Sequence, residues 1–542
     1  MKKIKIFTFL LTFSILVSCN NPKKENSKNQ KKDQGDDFPP NIIYIMSDDH
    51  AYQAISTYDS RLINTPNIDR LANEGVHFTN SFVTNSVSSP SRAVCLTGKF
   101  SHTNGLRDNH NVFDSTQQTF PKLLQEAGYQ TAIIGKWHLK SEPTGFDYWQ
   151  VLPDQGVYYQ PQFITSEGVI TENGYVTDII TDKTIEWLSE KRDKSKPFMI
   201  MCHHKAPHRE WLPAQRHYED LGNKYYPEPK TLFDDYKNRG TAAKDAEMRI
   251  KDHMGLSSDN KIPPEIVNKL GYKEFLNWYM SNYEYNIKDL TSEELQIWQA
   301  TYQPFVDDFI SKAPQGEDLT RWKYQRYMQD YLACIKAVDE NVGRIYKYLE
   351  DNNLLDNTLI VYTSDNGFYL GEHGWFDKRF MYEESLKVPL IMRYPKLINA
   401  GSSNTALVQN IDYAETFLDL AGVDIPQDMH GKSLLPLIND NSIKWRDAIY
   451  YHYYEFPSIH SVKRHYGVRT DRYKLIHFYY DIDEWELYDL KNDPNELENV
   501  FNKKEYTDVK EMLMSKLSEL MKQYGDSDEL RNQILESDLK HM

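Results

Sequence analysis

Four short apolar runs, each cut off by a polar cluster, constrain the fold of this chain more than any other feature. "NIIYIM" (41–46) runs into "SDDH", "TAIIG" (131–135) into "KWH", "PFMIM" (197–201) into "CHHKAPH", and "NTLIVY" (357–362) into "TSDNG". A run that is apolar at every position, without alternation, marks a strand buried on both faces, as in a parallel sheet covered by helices. Helical segments separate the runs. "TPNIDRLANEG" reads as a helix with Thr65 as N-cap, Pro66 at its first position and Gly75 as its stop. A second runs from Pro121 to Gly128, and Leu332, Ile335, Val338, Val342, Ile345 and Leu349 recur at helical spacing. "VPLIMRYP" (388–395) adds another strand. The pattern predicts an α/β fold with a large, mostly parallel sheet between helices. Ligands of such sheets bind beyond the carboxyl ends of the strands. All four polar clusters follow strand ends, so four remote segments deliver polar residues to one edge.

Other regions differ. Lys2, Lys3 and Lys5 precede an apolar run from Ile6 to Val17 that is too short to span a bilayer, so residues 1–18 read as a signal peptide. It ends in "LVSC", which looks like a bacterial lipobox and predicts a lipidated Cys19, an anchor to a membrane and an exported protein at the outer membrane or periplasmic face. Residues 19–39 are polar and of low complexity, a flexible tether. A catalytic domain is expected over 40–440, with an insertion at about 214–330 that is helical in parts and covers the site mouth. The subdomain at 441–542 shows the alternation of antiparallel strands in "YGVRTDRYKLIHFYY" and "WELYDL", a turn at Asn492–Pro494, and a closing amphipathic helix from about Asp508 to Tyr524. The formal charge of −16 becomes −19 without the signal's three lysines, which argues against a nucleic-acid partner. With Cys19 lipidated, Cys95, Cys202 and Cys334 remain, an odd count that argues against a disulfide framework. The 38 tyrosines and 10 tryptophans suit sugar stacking and core packing equally.

The strand ends carry two kinds of chemistry. Asp48, Asp49, Asp365 and Asn366 are hard oxygen donors, suited to calcium or magnesium rather than zinc. Arg92, Lys136, His138, His208 and Lys378 lie in or after strand-end loops. Together with a divalent cation, such side chains select a compact oxyanion, and the two histidines could exchange protons near neutral pH.

Ser88–Ser89–Pro90–Ser91–Arg92 followed by Leu96–Thr97–Gly98 resembles the signature of the type I, formylglycine-dependent sulfatases. "GKWHL", "KAPH", "TSDNG", "GEHGWFDK", "MHGKSLLPLI" and "ELYDLKNDPNE" are similar to that family's other blocks, in its order, over roughly residues 40–500. The resemblance implies an alkaline-phosphatase-like core with a smaller C-terminal subdomain. It implies that Ser88 is converted to formylglycine (3-oxoalanine) by a maturase that accepts serine and reads Pro90 and Arg92. Arg92 would also hold the modified residue. One calcium would sit on Asp48, Asp49, Asp365 and Asn366, with the modified Ser88 completing the shell. Lys136 and Lys378 would bind sulfate oxygens, His138 would help to break down the sulfated intermediate, and His208 would donate a proton to the leaving oxygen. A hydrated aldehyde has two hydroxyls on one carbon: one attacks sulfur, and loss of the other's proton expels sulfate.

Loop polar residues near these blocks, His50, Arg107, Asp108, Asn109, His110 and Glu372, are candidates for contacts to a sugar. A sulfated carbohydrate is the expected partner, with algal polysaccharide such as ulvan first and host glycosaminoglycan behind it. The competing readings are a phosphatase or phosphodiesterase of the alkaline phosphatase superfamily and a lipid-anchored glycan-binding protein.

Overall fold

The apolar runs form the centre of one ten-stranded sheet. In spatial order its strands are Ser402–Asn404, Val76–Phe78, Leu390–Arg393, Thr358–Ser364, Asn41–Ser47, Phe198–His203, Gln130–Lys136, Tyr148–Leu152, Gln162–Thr165 and Gly168–Thr171. The five from Thr358–Ser364 to Tyr148–Leu152 are parallel, and antiparallel pairs extend the sheet at either end, with the edge strand Ser402–Asn404 again parallel to Val76–Phe78. The computed structural model describes residues 38–274, 282–438 and 442–540. The signal peptide, Cys19 and the tether up to residue 37 lie outside the described residues.

Successive residues of the central strands enter two different cores, which is why the runs show no polar alternation. Ile43, Ile45, Ile134, Ile200 and Ile360 face the long helix Gly316–Asp351, where the six residues at helical spacing are all buried. Ile42, Tyr44, Met46, Met199, Met201 and Val361 face the other way, onto Ala93, Leu96 and Phe417. The register Ile43↔Ile200 and Ile43↔Ile360 keeps like with like across three strands.

The helix Ser88–Thr97 is buried at every one of its 10 residues and stops at Gly98, whose φ of 62° is the left-handed conformation that glycine adopts freely. The helix Pro66–Asn73 follows Thr65 as expected, but Thr65 does not cap it: its Oγ1 accepts from Ser56 N at 3.0 Å instead.

The C-terminal part is a four-stranded antiparallel sheet in the order Ala448–Tyr453, His465–Thr470, Tyr473–Phe478, Glu484–Asp489. One face packs on the helix Thr507–Tyr524 together with Val94 and Phe100, and the other joins Phe82, Val87, Trp375 and Tyr382. Both faces therefore lean on the surroundings of the Ser88–Thr97 helix. The Thr507–Tyr524 helix does not close the chain, as the sequence suggests; a shorter helix, Asp528–Leu539, follows, and its Asp538 pairs with Arg107 at 2.7 Å and Arg464 at 2.9 Å. The insertion is helical in parts, chiefly Ser292–Lys312.

Gly135, next to Lys136, has a φ of 104°, and a Cβ there would meet the His203 carbonyl oxygen at 2.0 Å. Gly135→Ala should therefore cost more than about 2 kcal/mol, read by urea denaturation. Gly128→Ala, with a φ of 90° but nothing within 4 Å, should cost only about 1 kcal/mol.

Candidate active site

At the carboxyl edge of the sheet the strand-end clusters meet. Asp48 and Asp49 leave the Asn41–Ser47 strand, and Asp365 and Asn366 leave the neighbouring Thr358–Ser364 strand in register with it. All four side chains are buried. Asp49 N donates to Asp365 Oδ1 at 3.1 Å, and Asn366 Nδ2 donates to Asp49 Oδ1 at 2.7 Å. Ser88, at the start of its helix, donates from Oγ to Asp48 Oδ1 at 3.1 Å. One helical turn on, Arg92 sends Nε and Nη2 to Asp365 Oδ2 at 3.0 and 2.9 Å and Nη1 to the Lys136 carbonyl at 2.9 Å. Lys136 Nζ pairs with Asp48, and Lys378 Nζ pairs with Asp49 at 2.6 Å. Residues separated by more than 300 positions thus form one buried array of alternating charge.

These residues fit a hard divalent cation. Asp48, Asp49 and Asp365 bring carboxylates together, and Asn366 Oδ1 is a buried acceptor without a hydrogen-bond partner. Such an orphaned oxygen beside carboxylates is what an all-oxygen calcium site requires. Among the described residues, Asp48, Asp49 and His208 each offer an atom within 4.8 Å of the others. We assign His208 to the rim rather than to the shell. Its Nδ1 lies 2.5 Å from the Arg209 carbonyl and must donate to it, and its Nε2 is 3.8 Å from Asp49 Oδ2.

Burial and charge set the protonation states. Burial would raise the Asp48 carboxyl, but Lys136, Arg92 and Lys378 hold it well below the usual range. Burial pushes Asp49 up to about 7; Lys378 opposes this, while Asp48 and Asp365 reinforce it. His138 is pushed down to about 4 by burial and then by Lys136. His208 falls well below its ordinary value through burial and the nearby Lys136, Lys378 and Lys205. Both rings are therefore neutral at pH 7 in this state; His208 becomes a donor from Nε2 only when an anion beside it favours the imidazolium.

A cavity of about 580 Å³ opens onto this array and is lined by Ser88, His138, His208 and Lys378, among others. Of the candidate sugar contacts, Asn109 and His110 line it. The others do not reach it. His50 is fully buried, with Nδ1 2.6 Å from the Tyr362 hydroxyl and Nε2 3.2 Å from the Ala54 carbonyl, because the backbone reverses at Asp49 (φ 65°). Arg107 turns to Asp538. Asp108 accepts the His110 and Asn111 amides, each at 2.8 Å, and shapes its own loop. Glu372 is half-buried, accepts Leu370 N at 2.6 Å and Gln53 Nε2 at 3.2 Å, and is pushed up to about 7 by desolvation and Glu384.

Sequence reasoning missed much of the wall. Asp154, Gln155, Asp377, Arg379, Glu455 and His460 all line the cavity. Arg379 pairs with Glu455 at 2.5 Å and His460 with Asp377 at 3.3 Å, so the C-terminal part supplies one side. Asp377 was legible from its place beside Lys378, but the loop holding Glu455 and His460 carries no motif. Of the insertion's described residues, Tyr285 lines the cavity.

With this geometry established, comparison with known proteins gives a consistent result. The Sulfatase profile matches residues 40–423, and that of the N-sulphoglucosamine sulphohydrolase C-terminal region matches 371–523. The N-acetylglucosamine-6-O-sulfatase of Bacteroides thetaiotaomicron is 53% identical over 519 residues, covering 95% of this chain and 90% of that protein. A solved structure in complex with its substrate D-glucosamine-2-N,6-O-disulfate matches with a TM-score of 0.86 at 53% identity, over 90% of this chain and 99% of the other. An ulvan-active sulfatase of Formosa agariphila is 24% identical over 94% of this chain and 86% of its own length.

The Asp49 shift makes a prediction about metal removal. Without a cation, a folded-state value of about 7 against an ordinary 3.8 means that the folded protein holds the extra proton. Stability then falls as pH rises between about 4 and 7. A bound divalent cation keeps the carboxylate ionised and cancels that loss. Chelator should therefore lower the melting temperature more at about pH 8 than at about pH 5.5, and added calcium should restore it, as read by scanning calorimetry.

Proposed function

Given that the chain belongs to the sulfatase family, a family of sulfuric ester hydrolases, we propose that it acts on a sugar sulfate and removes the 6-O-sulfate of glucosamine or N-acetylglucosamine units. The observation that carries this reading is the 53% identity, sustained over 95% of the chain, to an enzyme named for that reaction. An amino-sugar sulfate is preferred to ulvan because the ulvan-active relative is only 24% identical.

In this reading, Asp48, Asp49, Asp365 and Asn366 would hold calcium, which would supply positive charge favouring an ionised hydroxyl at residue 88. A maturase acting on the Ser88–Arg92 motif would provide formylglycine there, and with it the pair of hydroxyls the chemistry needs. The side chains have separable tasks. Arg92 fixes the start of the Ser88–Thr97 helix to Asp365. Lys136 and Lys378 place their ammonium groups beside the carboxylates and present positive charge to sulfate oxygens. His208 protonates the departing sugar oxygen, and His138 takes the proton released at residue 88. The wall of Asp377, Arg379, Glu455 and His460 offers donors and acceptors to the sugar ring. In the same reading the protein lies outside the cytoplasm, anchored through Cys19, a reading supported by the signal-like run and the "LVSC" that ends it.

Matured protein should release sulfate from N-acetylglucosamine 6-sulfate with a kcat/KM at least about tenfold above that for ulvan oligosaccharides or an aryl phosphate. Ser88→Ala should abolish release, and Lys378→Ala should reduce it on the order of a hundredfold. Ion chromatography of free sulfate reads both. Preferential turnover of ulvan would overturn the substrate, and preferential turnover of phosphate would overturn the reaction.

A further inference from the structure

The Pro153–Gly156 turn, closed by Gly156 N on the Pro153 carbonyl at 2.9 Å, presents Asp154 and Gln155 to the cavity. Gln155 Oε1 lies 2.5 Å from Lys136 Nζ, and Gln155 Nε2 lies 3.2 Å from His138 Nε2. An ammonium only donates, so the amide oxygen must face Lys136 and the NH₂ must face His138. The NH₂ in turn only donates, so His138 Nε2 accepts, and the neutral ring carries its hydrogen on Nδ1. Ser89 agrees: its hydroxyl hydrogen is committed to the His138 carbonyl at 2.6 Å, which leaves an oxygen lone pair for Nδ1–H at 3.2 Å. Lys136, Gln155, Ser89 and the His138 carbonyl thus select one tautomer, with the lone pair on Nε2.

The same Nε2 lies 3.1 Å from Asp154 Oδ1. With no hydrogen between them, lone pair and carboxylate repel; with a proton on Nε2 they form a charge-assisted hydrogen bond. The His138 side chain is 3% exposed and that of Asp154 is 77% exposed, so the carboxylate spans from the buried ring to water.

We infer that Gln155 and Asp154 form a two-position proton gate for His138: Gln155 holds the neutral ring with Nε2 ready to accept, and Asp154 receives the N–H of the protonated ring and passes the proton to solvent. This rests on the role given to His138 above. The O–H bond at residue 88 breaks and an N–H bond forms at Nε2. That N–H then breaks, the proton goes to the Asp154 carboxylate and on to water, and the ring returns neutral. The charged groups acting on the ring are Lys136 and Asp48 at the strand ends and Asp154 on the turn; Lys140 acts on Asp154. Asp154 and Gln155 are positioning residues.

Long-range ¹H–¹⁵N spectra of the folded chain with Ser88 unconverted, assigned with His138→Gln, test the gate without turnover. At neutral pH His138 should show the Nδ1–H tautomer, and Gln155→Leu should admit the Nε2–H form. In matured enzyme, Asp154→Asn should lower kcat about tenfold with KM within about twofold. It should also move the acid limb of kcat down by about one unit, with Asp154→Glu restoring both. A wild-type Nε2–H tautomer, or an Asp154→Asn enzyme with unchanged kcat and acid limb, would overturn the gate. Wild-type protein that shows the Nδ1–H tautomer but releases no sulfate from 6-O-sulfated glucosamine supports the ring geometry and counts instead against the proposed function.

Discussion

The site depends on neutralising three buried carboxylates. Asp48, Asp49 and Asp365 sit at adjacent strand ends with almost no exposure, where uncompensated charge is prohibitively costly. Arg92, Lys136 and Lys378 each answer one of them. The compensation is incomplete: Asp49 keeps a raised carboxyl, and Asn366 keeps an unused oxygen. Three cations match three carboxylates in formal charge, but the oxygen donors are not all used, and those left over suit a divalent cation. Parallel strands make this possible, because they end together and point the same way.

How much of this could be read from the sequence follows from the same geometry. A run such as Ile42–Met46 is apolar throughout because its two faces serve different cores, so the strands and the edge they share are legible. Asp48, Asp49, Asp365, Asn366, Ser88, Arg92, Lys136 and Lys378 come together because each lies within a few residues of a strand end or a recognisable block. The errors come from local direction. His50 directly follows Asp49, yet the positive φ at Asp49 sends its side chain into the core. Glu372 stands in a recognisable block, and burial beside Glu384 turns it to a structural task. Gln155 and Asp154 went unseen because a glutamine and an aspartate on a turn carry no pattern; only distances to Lys136 and His138 reveal them.

The C-terminal sheet is more than an appendage. Its two faces enclose Val87, Val94 and Phe100, so the helix that begins at Ser88 is clamped between the large sheet and the small one. The same part also supplies Glu455 and His460 to the cavity wall. One element therefore steadies Ser88 and shapes what can approach it, which couples the stiffness of the centre to the form of its rim.

The closed packing of the Ser88–Thr97 helix has a consequence for biosynthesis. Ser88, Pro90 and Arg92 are all buried within a closed helix in the finished fold, and Arg92 is already spent on Asp365. An enzyme that recognises those residues as a linear peptide would find nothing to grip once the two sheets have closed. Under the proposed conversion of Ser88, editing would have to precede assembly, while the segment is still extended. A chain that folded too early would be locked out of repair, so the yield of competent protein would be decided by a race between maturation and folding.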